Sequence, residues 1–363
     1  MDRTTLLHWL REDATAKLEP LFALAEAARR ASVGDAVYLR GLVEVSSHCV
    51  RSCTYCGLRA GNRAVSRYRL DAEEVLTCAR QIGAFGCGTI VLQSGEDPGL
   101  SVDWVADVVR RVRDEVGLTV TLSLGERTPG ELRRWRAAGA DRYLLRFETS
   151  NEQLYRRVHP PLRAGEVRRE VLLRELRELG YEIGSGVMVG LPGSTFEDLA
   201  SDLLAFRALD LDMIGVGPFL PHPRTPLGRR SGAAVPDQVP NDVLTTCKTV
   251  ALARLLCPRA NIPATTALAT LDPEGRADGL RAGANVWMPN FTPARYRPSY
   301  EVYPGKGTAG HLESTHAGLV DTLTRLGRHI GQGPGTSPAH AARAALPPEA
   351  SCSPCRTSSA ATP

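Results

Sequence analysis

No apolar run in this 363-residue chain approaches membrane-spanning length. The opening residues do not read as a secretory signal either, because Asp2, Arg3, Arg11, Glu12 and Asp13 stand among the apolar ones. A surplus of one charge is also lacking. The 44 basic and 40 acidic residues leave a formal +4, which is no nucleic-acid footprint, and no basic cluster stands out as a membrane patch. Lysine is scarce, at Lys17, Lys248 and Lys306 only; the arginine excess reads as genomic base composition, and no function is drawn from it. The nine cysteines lack the spacing and context of a disulfide framework, which points to a reducing compartment. A soluble, cytoplasmic protein is expected, with neither nucleic acid nor membrane among its partners.

At 43% hydrophobic residues, the chain has material for one large α/β domain or two ordinary ones. Short β-rich runs at 36–45, 89–93, 118–124, 142–147, 182–189, 213–219, 262–266 and 285–288 alternate with amphipathic stretches such as 71–85, 102–116, 163–179, 195–208 and 241–256. Eight such strands predict a closed (β/α)8 barrel over residues 36–330. Two helices, 3–10 and 16–31, form an extension over residues 1–35 and are expected to close the barrel floor. A last helix is expected at 314–330. Residues 331–363, rich in Gly, Pro, Ser and Ala, read as a disordered tail.

Directly after the first strand comes Cys49-Val50-Arg51-Ser52-Cys53-Thr54-Tyr55-Cys56. Three thiolates at C-x3-C-x2-C spacing suit an iron-sulfur cluster that keeps one iron open to a small molecule. A Cys3His zinc site using His48 is the competing reading. In a barrel the reactive groups gather at the carboxyl ends of the strands. Those ends carry Gln93-Ser94-Gly95-Glu96, Thr121-Leu122-Ser123, Arg146-Phe147-Glu148, Gly190-Leu191-Pro192-Gly193 and Thr265-Thr266.

The cysteine spacing, with Tyr55 before the third cysteine, resembles the signature of the radical S-adenosylmethionine (SAM) superfamily. The strings Val91–Asp97, Leu122–Glu126, Tyr143–Thr149, Val187–Gly193, Gly215–Pro223, Pro263–Ala267, Gly283–Val286 and Tyr303–Lys306 together resemble the HydE maturases of [FeFe]-hydrogenase. The resemblance runs from residue 36 to residue 306. Methylornithine synthase and biotin synthase look like more distant relatives. The resemblance implies a [4Fe-4S] cluster on Cys49, Cys53 and Cys56, and SAM cleaved there to a 5'-deoxyadenosyl radical. It further implies that Ser94, Gly95 and Glu96 receive the SAM ammonium, Arg169 its carboxylate and Glu148 its ribose and amino end. Gly190 and Leu191 would lie beside the adenine, whose edge the Tyr55 backbone helps hold. Gln93, Thr121, Ser123, Arg146, Thr265, Thr266 and Tyr303 are the expected substrate set for a small molecule, with Arg146 the preferred anchor and Arg146 and Tyr303 the candidate catalytic groups. A flavodoxin or ferredoxin-type reductant and other hydrogenase maturases are the implied partners.

Two departures bear on that transfer. Phe147 stands where many HydE proteins have His, and the stretch after Lys306 has none of the three extra cysteines that some members carry. Cys352 and Cys355 form a further C-x2-C pair in the tail, which reads as adventitious rather than as a metal or redox site. Besides maturase chemistry, two readings stay open: a biosynthetic enzyme rearranging or tailoring an amino-acid-like metabolite, and a non-catalytic iron-sulfur carrier.

Overall fold

The computed structural model describes residues 1–163, 166–229, 235–306 and 316–345. Parallel strands β1 (Ala36–Ser46), β2 (Thr89–Ser94), β3 (Thr119–Ser123), β4 (Ala140–Leu144), β5 (Glu182–Val189) and β6 (Met213–Pro218) form a continuous ladder in sequence order. Two short strands, β7 (Val286–Trp287) and β8 (His329–Ile330), both pair with β1. β1 and β5 are buried almost along their whole length, as parallel strands covered on both faces must be. The sheet curls into a TIM-type half-barrel with helices outside.

Local chemistry sets where the crossover helices begin. Ala72–Ala84, Pro129–Ala138 and Phe196–Ala208 each start on a reciprocal capping box, Asp71 with Glu74, Thr128 with Glu131 and Thr195 with Asp198. Such caps satisfy orphan backbone N–H groups and stop the helix from running back into the loop, so the loop at the strand's carboxyl end keeps its own shape. No helix of the described residues is long and apolar enough to cross a membrane.

The expected seventh strand at 262–266 does not form as a strand. The gap between β6 and β7 is spanned by single bridges, Met213 to Asn261 and Pro263 to Val286. Pro263 has no N–H to give a ladder, and Thr265 already caps the helix Thr266–Leu271, so the run is used up before a strand can extend.

The floor differs from expectation as well. The amino-terminal helices, Arg3–Arg11 and Thr15–Val33, pack outside the barrel against Phe196–Ala208 and Val243–Leu256. Residues 333–337 plug the floor instead. Pro334 O accepts from Thr89 Oγ1 at 3.0 Å and from Arg142 at 3.1 Å. Gly335 O accepts from Arg40 at 3.1 Å and Asn261 at 2.8 Å. Ser337 N donates to Glu182 Oε1 at 2.9 Å. Gly335 sits at φ +58° with its α-carbon against Tyr38, where an added Cβ would come within 2.4 Å of the ring. The tail read as disordered from residue 331 is therefore folded as far as Ala345, ending in the helix Pro338–Ala344. It is held by carbonyls offered to buried cations rather than by apolar burial, which composition does not reveal. Residues 346–363, with Cys352 and Cys355, and residues 307–315 lie outside the described residues.

Arg142 and Glu182 are both buried in this floor, with Nε to Oε2 at 2.5 Å. Arg142→Ala leaves Glu182 charged without its partner and is expected to lower the unfolding free energy by about 3–5 kcal/mol, measured by denaturant titration. Replacing both with Met and Leu should cost far less.

Candidate active site

At the opposite end, the loop after β1 is built backbone to backbone. Val50 N donates to Glu96 O at 2.9 Å, Thr54 N to Val158 O at 2.9 Å and Gly57 N to Val302 O at 3.0 Å. Arginine side chains brace it from within. Arg59 Nε donates to Cys53 O at 3.1 Å, and Arg67 reaches the carbonyls of Ser47, Leu58, Arg59 and Asn62. Gly95 lets the loop after β2 press on it, because a Cβ there would stand 2.3 Å from His48 O and 2.7 Å from the Cys49 Cβ.

These contacts turn Cys49, Cys53 and Cys56 towards one cavity of about 360 Å³, a volume usual for small-molecule sites. Burial pushes all three thiols above their ordinary pKa, Cys53 to about 12, with mutual repulsion contributing at Cys53 and Cys56. They are three soft donors whose negative charge needs a metal. Among the described residues no three His, Cys, Asp or Glu side chains converge on a point suited to a single ion. Three thiols around a cavity, with glycine opening its wall, fit a polynuclear iron-sulfur group and a small ligand beside it.

Arg51, between the first two cysteines and nearly inaccessible, gathers three carboxylates. Its Nε meets Glu96 Oε1, its Nη2 Glu126 Oε2 and its Nη1 Glu166 Oε2, each at 2.7 Å. Burial opposes its charge, but the three acids outweigh burial and raise its pKa. Glu126 is shared: Arg169 Nε donates to its Oε1 at 2.8 Å, and His159 Nε2 lies 3.4 Å from that oxygen. Burial would raise the Glu126 pKa, yet His159, Arg169 and Arg51 pull it to about 2. Glu96 goes the other way, raised by burial, and accepts from Glu126 N at 3.0 Å.

On the far wall Arg146 holds Glu148 with both ends of its fork, at 3.1 Å and 3.0 Å, and donates to Val187 O at 2.7 Å. Glu148 sits at φ +62°, an uncommon conformation for a side chain of its size, fixed by ladder-like bonds to Gly186 O and from Met188 N. Thr265 Oγ1 is buried with no hydrogen-bond partner, and Thr266 Oγ1 accepts from Arg276 at 2.9 Å. Burial raises Tyr303 to about 12.

Of the residues singled out in the sequence, Cys49, Cys53, Tyr55, Cys56, Gln93, Ser94, Gly95, Glu96, Ser123, Arg146, Glu148, Arg169, Thr265, Thr266 and Tyr303 all line this cavity. Three do not. Thr121 is buried in the barrel wall with an unpartnered hydroxyl. Gly190 turns at φ +80° against Asn241, and Leu191 is buried with Leu154, Val158 and Phe219 behind Tyr55. Depth and turn geometry decide these cases: Thr121 shares a face of β3 with Ser123 but lies two residues deeper, and Gly190 and Leu191 follow the end of β5 in a turn. Alternation acts at Phe147: between Arg146 and Glu148, which line the cavity, it faces outward, its ring 5.7 Å from Phe206, so the departure from His falls away from the cavity. Sequence reasoning missed His159, Arg51, Glu126 and the Lys306–Glu44 ion pair at the cavity wall. Arg51 and Glu126 stood within strings already noticed, but their partners are set only by the fold.

Compared with known proteins, residues 43–205 match the sequence family described as the Radical SAM superfamily. The chain is similar to the [FeFe] hydrogenase maturase subunit HydE of Thermotoga maritima, with 50% identity over 288 residues covering 79% of this chain and 80% of that protein. It is also similar to 3-methylornithine synthase of Methanosarcina acetivorans, with 31% identity over 274 residues and 74% of each covered. Among solved structures, methylornithine synthase (PylB) aligns with a TM-score of 0.77 at 25% identity, covering 95% of this chain and 96% of that one.

Two outcomes follow from the geometry. Gly95→Val should displace the cysteine loop and sharply reduce iron and sulfide uptake on anaerobic reconstitution, while circular dichroism stays unchanged. Because the Glu126 pKa is depressed, its stabilising contribution is present above the ordinary 4.5 and is lost as pH falls towards about 2. The stability gap between wild type and Glu126→Gln should be constant above pH 4.5 and shrink as pH falls from there towards about 2, as read by denaturant titrations at successive pH values.

Proposed function

The chain belongs to the radical SAM superfamily and, within it, to the HydE family, and from that premise we propose that it processes a small precursor in the maturation of an [FeFe]-hydrogenase cofactor. When bound, a [4Fe-4S] cluster and SAM supply an adenosyl radical by one-electron reductive cleavage. The observation that carries the reading is the meeting, in one cavity, of three thiols, a carboxylate-arginine network and a polar far wall.

Cys49, Cys53 and Cys56 hold the cluster. Beside them, Glu96 receives the SAM ammonium and Ser94 and Gly95 admit the ligand closely. Arg169 pairs with the SAM carboxylate. Its three nitrogens already meet Glu126, Arg146 O and His159, which fixes the fork while each terminal nitrogen keeps a second N–H. Glu148, locked by Arg146, orients the ribose and amino end, and Tyr55 borders the adenine. The substrate lies across the cavity, with Arg146, Thr265, Thr266 and Tyr303 as its polar contacts and Gln93 and Ser123 flanking it. The orphaned Thr265 hydroxyl supports this, because a buried polar atom without a partner is costly unless a ligand completes it. Walls of packed strands and a plugged floor keep water from the reacting centre.

A flavodoxin or ferredoxin-type protein supplies the electron. Exposed Arg63, Arg157 and Arg224 stand on segments that bond to the cysteine loop, through Asn62 to Gly57 O, Thr54 to Arg157 O and Leu227 N to Thr54 O, and have no carboxylate partner among the described residues, which suits an acidic donor. Other hydrogenase maturases are the partners upstream or downstream of the product.

A second reading is favoured by the likeness to 3-methylornithine synthase over nearly the whole fold: radical rearrangement or tailoring of an amino-acid-like metabolite. Identifying the compound consumed together with 5'-deoxyadenosine separates the two. An iron- or sulfur-containing precursor supports maturation, and an amino-acid-like compound overturns it.

Serine in place of Cys49, Cys53 or Cys56 should abolish 5'-deoxyadenosine formation; retained cleavage would sink the cluster assignment. Charge reversal at Arg63, Arg157 and Arg224 together should slow turnover with a protein donor by about tenfold at low salt, yet leave dithionite-driven cleavage unchanged.

A further inference from the structure

We infer that His159 is a positioning residue for the cluster, donating a hydrogen bond from Nδ1 to the Cys53 sulfur and thereby raising the reduction potential of the cluster. The inference rests on the proposed function in placing the cluster on Cys53.

The geometry fixes the direction of this bond. His159 Nδ1 lies 2.9 Å from Cys53 Sγ, and both residues are buried. The other ring nitrogen, Nε2, lies 3.2 Å from an Arg169 terminal nitrogen and 3.4 Å from Glu126 Oε1. A guanidinium only donates. A Cys53 that ligates a cluster is a thiolate with no proton to give, so the contact is a hydrogen bond only when Nδ1 carries the proton; Nε2 then accepts from Arg169 in the neutral ring or donates to Glu126 in the doubly protonated one. The opposite tautomer could donate from Nε2 to Glu126, but it would leave a lone pair facing the thiolate at Nδ1. A doubly protonated ring would still donate from Nδ1, so the assignment does not depend on the charge of His159.

The ring cannot easily turn away. His159 ends the helix Glu152–Val158, its N–H bonded to Tyr155 O, and its ring packs 5.1 Å from that of Tyr155. Arg169 is itself fixed by Glu126 at 2.8 Å and Arg146 O at 2.6 Å. Arg51 ties the same Glu126 to Glu96. One continuous polar chain thus joins the Cys53 sulfur to the glutamate expected to receive the SAM ammonium. A hydrogen bond to a ligating sulfur offsets negative charge, and the reduced cluster carries one more electron than the oxidised one. The bond favours the reduced form, which raises the potential.

The test uses anaerobically reconstituted wild type, His159→Phe, which keeps a planar ring without a donor, and His159→Gln, which keeps an N–H. Iron and sulfide content establishes loading, and a potentiometric titration followed by electron paramagnetic resonance gives the potential. A more negative potential in the Phe variant at equal loading, largely restored in the Gln variant, supports the inference. Equal potentials in all three overturn it. Should the Phe variant fail to load, ¹⁵N-histidine-labelled wild type and His159→Gln decide: a weak nitrogen coupling to the reduced cluster, present in the first and lost in the second, supports the bond, and its absence from wild type overturns it. A wild type that takes up no iron and sulfide overturns both this inference and the proposed site.

Discussion

Everything at the mouth of the barrel depends on one buried guanidinium. Arg51 belongs to the cysteine loop, yet its three nitrogens are spent on Glu96 after β2, Glu126 after β3 and Glu166 before the helix Arg169–Glu178. A charge this deep is not placed for stability alone, since an apolar cluster of equal volume would often do as well. What it contributes is registration. Three loops from separate crossovers are held to the loop that presents the thiols, so a shift in any of them is felt at the sulfurs. The carboxylates differ accordingly: Glu126, shared by two arginines, is held strongly ionised, whereas burial dominates at Glu96.

The two ends of the barrel solve opposite problems with the same residue type. At the mouth, arginines bind carboxylates and leave N–H groups and a Thr265 hydroxyl facing a cavity. At the floor, Arg40 and Arg142 are closed off by the carbonyls of Gly335 and Pro334, with Asn261 bonded to the same Gly335 carbonyl. The open end can therefore receive ligands while the lower one is sealed.

Much of this was legible from the sequence, and the limits are physical. The cysteine triplet is legible because its ligands lie within one loop, so spacing alone carries their geometry. β1 to β3, β5 and β6 are legible as β-like runs between amphipathic stretches, while β4 is found two to three residues earlier than expected, at Ala140–Leu144, because Asp141 and Arg142 interrupt its apolar pattern. The strand expected at 262–266 misled because its composition is β-like while Pro263 and the Thr265 cap forbid extension. Residues 331–345 misled because they are held through main-chain oxygens, to which residue type is nearly silent. At the site, Thr121 lies too deep on β3 to reach the cavity, and Gly190 and Leu191 turn away from it after β5 ends. His159 could not be found, since a lone histidine after a short helix acquires meaning only from Cys53 and Arg169 beside it.

The floor plug also orders events in time. β1 is made long before Gly335 and Ser337, which finish the floor beneath it. While the carboxyl-terminal segment is still in the ribosome tunnel, Arg40, Arg142 and Glu182 lack their covering carbonyls and N–H, and the barrel is a basket open at the base. The thiol loop at the other end can already be assembled by then. Contacts of such long sequence separation close late and slowly, so the protein completes the sealed chamber needed to contain a radical only after it has completed the part that makes one.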